Sequence, residues 1–491
     1  MMTSNKSKGL SIGTHIGVIG AGAMGAGIAQ VAAAAGHQVF LYDVSQQVAE
    51  RGRDRIEKVL LRRVERGKLK AIDAAAMIQR ISVAPKKSDM ASVGLVIEAI
   101  VEDLNIKREV FAQLEAITRP DCILATNTSS ISITAIASTL RRPERVVGMH
   151  FFNPAPVMQL VEIVKGLATD LKVVGCLMQT ARDWGKISVE VASNPGFIVN
   201  RVARPYYAEA LRFVEEQRTD PVTLDAIMTQ GGGFRMGPMA LMDLIGNDVN
   251  FSVTTSIYHA TFQDPRYRPS LFQQELVAAG WFGRKTDRGF YDYRSAAVVP
   301  VPKKQQTSQD APLSGYQIGS FSEVQGVFFM PSDGRSAASV SQDLGKPVLV
   351  HDLYPSGTEC KCIAFSTSRG VSELLCVGFA NSAARAGMWA FRLGDGPGLP
   401  LGRTLAMIAN EAYDLLLHGT TKAAEIDLAM IKAMNYPLGP IAWAKKIGLE
   451  RLLCILDAIF TETGDPRYRA SLGLRHAALC SQETDGMVKD D

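Results

Sequence analysis

The chain has 491 residues, enough for roughly three domains at about 150 residues each. Hydrophobic residues make up 47% and charged residues 21%, a globular balance that excludes a wholly disordered chain; the 43 glycines follow no every-third-residue repeat, which excludes collagen. With 53 basic against 49 acidic side chains the net charge is only +4, so nucleic acid is not an expected partner, and the balance leaves room only for a local basic patch that meets a phosphorylated ligand.

Taken in chain order, residues 1–15 hold no signal-peptide hydrophobic core, and no apolar run reaches membrane-spanning length. Apolar runs at 15–19, 38–42, 95–99, 122–126, 146–150 and 160–164 read as strands, and helix-like stretches separate most of the early ones. That βαβ rhythm predicts an α/β fold, with a doubly wound, mostly parallel sheet covered on both faces. Asn194-Pro195-Gly196 marks a change of texture. Residues 197–272 read as helical, with a break at Gly231-Gly232-Gly233. The segment from Ala296 to about Gly394 opens with a Val-Pro-Val-Pro run and a polar linker at 303–310. Short β-like runs follow at 324–330, 347–350 and 362–366, and no function attaches to them.

The last hundred residues repeat the helical part. At a shift of 202, Arg201 meets Arg403, Glu209 meets Glu411, Asp225 meets Asp427, and Gly237-Pro238 meets Gly439-Pro440. One residue is then lost, and the DPRYR at Asp264 meets the DPRYR at Asp465. Two unrelated helical bundles of similar composition would not share these residues in register, so the reading is a duplicated helical domain. The expected organisation is 1–192 for the sheet domain, 193–294 for the first helical domain, 295–395 for an intervening segment, and 396–491 for the repeat.

The seven cysteines are scattered, and an odd number in a long chain without a secretion signal reads as reduced thiols in the cytoplasm. Cys360 and Cys362 share a strand face, but no matching Cys/His pair lies nearby, so two packed small side chains are expected rather than a metal site.

Gly20-Ala21-Gly22-Ala23-Met24-Gly25 follows an apolar strand and opens an Ala-rich helix. The glycines suit a tight turn, close approach of backbone to a pyrophosphate, and close helix packing, while the helix N-terminus offers N–H groups to phosphate. Asp43 ends the next strand, where a carboxylate accepts from both ribose hydroxyls and repels a 2′-phosphate; NAD is therefore the expected cofactor rather than NADP. An incidental Gly-rich turn would not explain the strand, the spacing and the acid together.

Three polar clusters carry the chemistry. Asn127-Thr128-Ser129-Ser130 follows a strand, at the end where ligands bind in open α/β sheets; the structural alternative is that Ser129 or Ser130 caps the helix from Ile131. His150, within GMHFFNP, stands at a strand end. Glu162 is an acid inside the apolar run LVEIV. A lone buried charge is costly. Of the seven histidines only His150 has both a strand-end setting and an acid able to hold its ring in one tautomer.

GVIGAGAMGAGIAQ, NTSSIS, GMHFFNPAPVMQLVEIV and NPGFIVNR stand in one order, and together they resemble the L-3-hydroxyacyl-CoA dehydrogenase family, closely over residues 14–294. The duplicated tail is similar to that of its longer bacterial members, which act on 3-hydroxybutyryl-CoA or 3-hydroxyadipyl-CoA in fatty acid or phenylacetate breakdown. The resemblance implies NAD-dependent oxidation of short (S)-3-hydroxyacyl-CoA thioesters to 3-oxoacyl-CoA. It implies His150 as base, Glu162 as its orienting carboxylate, Ser129 as hydrogen-bond partner of the reacting oxygen, and Asn200 as the amide that positions substrate. Besides the glycine turn, Asp43, Glu102, Lys107, Asn127, Ser129, Asn153 and Lys285 match cofactor-contacting positions, and Arg66 or Lys68, within the basic stretch 51–70, matches a CoA-contacting lysine. A solvated helix face explains most of that basic stretch equally well. In the repeat, Gly402 stands where Asn200 does, and no second glycine turn or His/Glu pair accompanies it, so the repeat is expected to lack an active site. Shorter members dimerise through the helical domain, and a fused copy could replace that partner. Two other readings stay open: a dehydrogenase of a free hydroxy acid or sugar acid on the same scaffold, and a non-catalytic NAD-binding protein.

Overall fold

The computed structural model describes residues 8–298, 300–309, 311, 316–353 and 360–487, with side chains to residue 480. The first seven residues of the stretch read for a leader, and Asp310 at the end of the linker, lie outside the described residues. The chain forms two compact units: Met1–Val199 with Gly419–Ala433, and Asn200–His418 with Met434–Asp491.

In the first unit the apolar runs become an eight-stranded sheet. Its strands are β1 (Ile16–Ile19), β2 (Val39–Tyr42), β3 (Ile81–Val83), β4 (Leu95–Glu98), β5 (Ile123–Thr126), β6 (Val146–Phe151), β7 (Leu160–Lys165) and β8 (Ile187–Ala192). The order is β3-β2-β1-β4-β5-β6-β7-β8, parallel except where β6 meets β7. The six expected strands are present; β3 and β8 add to them. The central strands are buried along their whole length, as parallel strands with helices on both faces must be. The helix Gln46–Glu65 buries only Ala49, Gly52, Ile56 and Leu60, one stripe at helical spacing, and turns its basic side chains to water.

This unit runs past residue 192, the boundary expected from the sequence. Ser193 N–H donates to Lys165 O, and the N–H groups of Ile198 and Val199 donate to Glu162 Oε1, which fastens the stretch to β7. Residues 419–433, expected in the repeat, also join it. Thr420 O accepts from Ala192 N–H and Thr421 Oγ1 donates to Glu190 O, along the edge strand β8.

The second unit contains both helical copies and a five-stranded sheet: β9 (Ser322–Val324), β10 (Val327–Pro331), β11 (Val348–His351), β12 (Cys362–Thr367) and β13 (Trp389–Arg392). Its order is β13-β12-β11-β10-β9. The β-like run 324–330 is broken by Gln325 and Gly326, both at positive φ, which makes it the turn of a hairpin.

This sheet is a shortened second copy of β5 to β8. β10 and β11 are parallel, β11 and β12 antiparallel, and β12 and β13 parallel, the sequence of orientations that β5, β6, β7 and β8 show. Shifted by 202 residues, β7 falls on β12, the helix Leu171–Asp183 on Glu373–Arg385, and the positive-φ Gly185 on Gly387. At a shift of 204, Ser132, which caps the helix Ile133–Ala137, falls on Ser336, which caps Ala337–Leu344. Residues 322–393 therefore repeat the half of the first sheet that carries the polar clusters, without the glycine turn.

The two helical copies meet within the second unit by the same contact made twice. Arg201 bonds Glu411 at 3.3 Å and Asp414 at 2.5 Å, while Arg403 bonds Glu209 at 2.6 Å and Glu216 at 3.1 Å. Tyr468 OH donates to Glu209 and Tyr267 OH to Glu411. The duplicated DPRYR thus supplies each copy with a tyrosine aimed at the other copy's glutamate. An isologous interface has this reciprocity.

Candidate active site

The site grows from the antiparallel pair β6–β7, whose register sets His150 directly opposite Glu162. Paired antiparallel positions put side chains on one face within reach of each other. His150 Nδ1 lies 2.7 Å from Glu162 Oε2, with His150 3% exposed and Glu162 fully buried. The other oxygen, Oε1, accepts from Ile198 N–H at 3.0 Å and Val199 N–H at 3.1 Å. A carboxylate fixed at both oxygens accepts the Nδ1 proton, which leaves Nε2 with its lone pair. Ser129 Oγ stands 3.2 Å from that Nε2. The rings of Phe152 and Phe197 flank the imidazole, with centroids 4.6 Å and 5.7 Å away. The pattern is a base with one basic nitrogen not taken up by the acid, an orienting carboxylate behind it and a hydroxyl in front.

The capping alternative for Ser129 and Ser130 does not hold. The helix starts at Ile133, and Ser132 caps it by accepting from Ala135 N–H. The turn is shaped instead by Thr128 and Glu102. Thr128 Oγ1 donates to Glu102 Oε1 at 2.6 Å, and Ser129 N–H and Ser130 N–H donate to the same oxygen. Burial pushes the Glu102 carboxyl up, but Lys107 and the bonds from Thr128 and Ser129 outweigh it and hold the group below the usual carboxylate range. Asn127 Oδ1 accepts from Phe151 N–H, tying the β5 end to the β6 end beside His150.

Lys107 is turned inward. Its Nζ donates to Glu98 Oε1 at 2.7 Å, with both groups buried, and lies 3.4 Å from Glu102. Glu98, at the end of β4, also accepts from Thr126 Oγ1 and Ile100 N–H. The sequence reading missed Glu98, although an acid inside an apolar run, the signal that singled out Glu162, stands there too. Asn153 is exposed. Arg66 and Lys68 lie in the exposed turn after the helix Gln46–Glu65. Asn200 and Lys285 belong to the second unit: Asn200 O accepts from Arg204 Nε, and Lys285 Nζ pairs with Asp248 at 2.6 Å.

The glycine turn fits a dinucleotide. A Cβ on Gly25 would stand 1.8 Å from Gly20 O, so only glycine lets the helix sit this close to the turn. A Cβ on Gly22 would meet no protein atom within 4 Å, so the backbone there faces open space that a pyrophosphate can fill. Gly22 is also the N-cap of the helix Ala23–Ala34, with no side chain over the free N–H groups. Asp43 Oδ2 accepts from Ala21 N–H at 2.9 Å, which brings the acid of the second strand to the turn.

At the position of His150, β11 leads to Asp352, and at that of Glu162, β12 carries Ala364; Asp352 N–H donates to Ala364 O. Asp352 is buried and accepts from the N–H groups of Leu353, Leu401 and Gly402. Burial pushes its carboxyl up to about 6, against the pull of those bonds. The second copy thus has, at these two positions, an acid that holds the start of its helical domain and an alanine, and neither an imidazole nor an orienting carboxylate stands there.

Residues 15–194 match the description "3-hydroxyacyl-CoA dehydrogenase, NAD binding domain", and 196–293 and 398–481 each match "3-hydroxyacyl-CoA dehydrogenase, C-terminal domain". The chain is 43% identical to the 3-hydroxyadipyl-CoA dehydrogenase of Escherichia coli K12, over 94% of its own length and 97% of that protein. It is 40% identical to the human mitochondrial hydroxyacyl-coenzyme A dehydrogenase, over 60% of this chain and 95% of that one. A crystal structure of 3-hydroxybutyryl-CoA dehydrogenase from Escherichia coli K12 superposes with a TM-score of 0.91 at 42% identity, covering 97% of this chain and all of that one.

Proposed function

Since the chain belongs to the 3-hydroxyacyl-CoA dehydrogenase family, we propose that it uses NAD to oxidise short (S)-3-hydroxyacyl-CoA thioesters, of the 3-hydroxybutyryl or 3-hydroxyadipyl type, to 3-oxoacyl-CoA. The observation that carries this reading is the chain of contacts from Ser129 through His150 to Glu162 and the N–H groups of Ile198 and Val199. His150 Nε2 takes the proton of the 3-hydroxyl as general base, and returns it as general acid in reduction. Glu162 holds the ring in the tautomer that leaves Nε2 free and favours the imidazolium that proton transfer forms. Ser129 Oγ hydrogen-bonds the reacting oxygen, and Asn200 positions the substrate. Bound NAD supplies the acceptor for the hydride that leaves C3. The turn Gly20, Gly22, Ala23, Met24 and Gly25 holds the pyrophosphate, Asp43 the ribose, and Asn127, Glu102 and Asn153 shape the nicotinamide end. Lys107 acts there through Glu98 and Glu102. Lys285 in cofactor contact, and Arg66 or Lys68 in CoA contact, rest on the resemblance alone.

We read residues 193–294 and 396–491 as one domain occurring twice, with the second copy in the place of a dimer partner; the reciprocal Arg–Glu contacts support this. No helix among the described residues is long and apolar enough to cross a membrane. All seven cysteines are free thiols, which supports the cytoplasm as the compartment.

The test is NADH consumption with acetoacetyl-CoA, followed by absorbance. His150→Gln should remove most turnover while NADH still binds; full activity in that variant would refute the assignment. Activity on free hydroxy acids but not on CoA thioesters would favour the sugar-acid type of dehydrogenase.

A further inference from the structure

The second unit contains a cleft of about 680 Å³, formed mainly by the first helical copy and lined by Arg204, Tyr207, Thr254 and the carboxylates Glu215 and Glu275, with Arg467 from the second copy, among others. Arg204 is 6% exposed and Arg467 is 3% exposed, yet no carboxylate among the described residues lies within ion-pair distance of either. A buried guanidinium is ordinarily paired, because its desolvation is otherwise uncompensated. Arg204 Nε donates to Asn200 O at 2.7 Å and Nη1 to Thr254 Oγ1 at 3.0 Å. These two bonds and the Tyr207 ring, 4.8 Å away, fix the guanidinium in place and leave Nη2 without a protein partner.

The duplication provides an internal control. In the second copy the positions of Arg204, Tyr207, Asn250, Thr254 and Gln273 are held by Ala406, Ala409, Leu452, Leu456 and Leu474. All five are buried apolar residues, so the same helices close there over a dry core. The helical fold therefore has no need of an arginine-lined cleft at this place, and among the described residues the copy that carries Asn200 is the one that places a buried guanidinium here.

We propose that Arg204 determines specificity by binding the terminal carboxylate of a dicarboxylic 3-hydroxyacyl-CoA. This deepens the proposed function and rests on its reading of Asn200 as the substrate-positioning amide. Arg204 follows Asn200 by four residues, and its Nε donates to Asn200 O at 2.7 Å, so the guanidinium lies beside the Asn200 backbone. In a six-carbon dicarboxylic chain the far carboxylate lies three carbon–carbon bonds beyond the carbinol carbon, a short reach from the amide that positions the substrate. A planar guanidinium with a free edge suits a carboxylate, and charge-assisted bonds in a buried site are the strong ones.

The phosphates of CoA are a second source of negative charge, and the experiment separates the two. Adipyl-CoA and hexanoyl-CoA share the same CoA and differ only in the terminal carboxylate. Calorimetric titration of the full chain should show adipyl-CoA binding on the order of 30-fold more tightly than hexanoyl-CoA. In Arg204→Met that ratio should fall to about one. Thr254→Val, which removes one anchor of the guanidinium and keeps its charge, should lower the ratio by a smaller factor, and it serves if Arg204→Met does not fold. A wild type that binds both ligands equally overturns the proposal. So does equal weakening of both ligands in Arg204→Met, which would assign the arginine to CoA phosphate or to packing. Binding is read without turnover, so a failed dehydrogenase assay and a missing carboxylate preference are separate results.

Discussion

Substituting Glu162→Gln changes one oxygen to an amide nitrogen in a fully buried side chain and tests the heart of the site. Glu162 has two duties: Oε1 accepts from the N–H groups of Ile198 and Val199, and Oε2 accepts from His150 Nδ1. A glutamine has one acceptor. If its oxygen stays on the two backbone N–H groups, its NH₂ faces Nδ1, which then has to be the unprotonated nitrogen. The proton moves to Nε2, the position that has to be vacant to take a proton from substrate. If the amide flips, two buried N–H groups face an NH₂, at about 1–3 kcal/mol for each unsatisfied group, so the first arrangement prevails. Enforcing the wrong tautomer in a His–acid pair of this kind lowers kcat by about 10⁴-fold. Ser129 and the cofactor remain in place here, so we expect a loss on the order of 10³- to 10⁴-fold, about 4–5.5 kcal/mol of barrier. The assay is NADH oxidation with saturating acetoacetyl-CoA, beside fluorescence titration of NADH, whose affinity should hold within about threefold. A kcat reduced less than tenfold, in a variant that binds NADH normally, would refute the role given to Glu162.

Two further outcomes follow from the second unit. Asp352 has its carboxyl raised to about 6 by burial, so it binds its proton more tightly folded than unfolded. Its contribution is full below the unfolded carboxylate range and is lost as pH rises through about 6. Asp352→Asn removes this term, so the stability of the variant relative to wild type should improve by up to about 3 kcal/mol between pH 4 and pH 8. Urea melts at several pH values check this, and parallel curves for the two proteins would contradict it. Arg403→Met strips the fully buried Glu209 of its cation while leaving the Tyr468 bond. Breaking such a pair on one side should cost about 3–5 kcal/mol; a urea midpoint shift worth less than about 1 kcal/mol would show that the contact is peripheral.

The parts legible in the sequence were those with a strong period or a strict steric demand. The six apolar runs of the first sheet were visible because strands buried on both faces leave uninterrupted Val, Ile and Leu. Gly20 to Gly25 was visible because close helix packing admits nothing larger at Gly25. His150 and Glu162 were found because an acid in an apolar strand needs a partner. β3 was too short to stand out at three residues, and β8 lay where the texture was already changing. The kinship of 322–393 with the first sheet was hidden for a different reason. What the two share is register, caps and turns, such as Ser132 and Ser336, while the side chains that gave the first copy its signal have become Asp352 and Ala364. The burial of Lys107 was not legible, because its partner, Glu98, is settled only by how β4 packs beside the helix Leu104–Ile117.

Arg201 with Glu411 and Arg403 with Glu209 are one handshake performed twice by a single polypeptide. Two identical subunits would have to carry every mutation on both sides of such a seam. Covalent tethering removes that obligation and makes the encounter intramolecular, so dilution cannot part the halves. The two halves are therefore free to differ: Asp352 and Ala364 stand at the positions of His150 and Glu162, and Leu452, Leu456 and Leu474 at those of Asn250, Thr254 and Gln273.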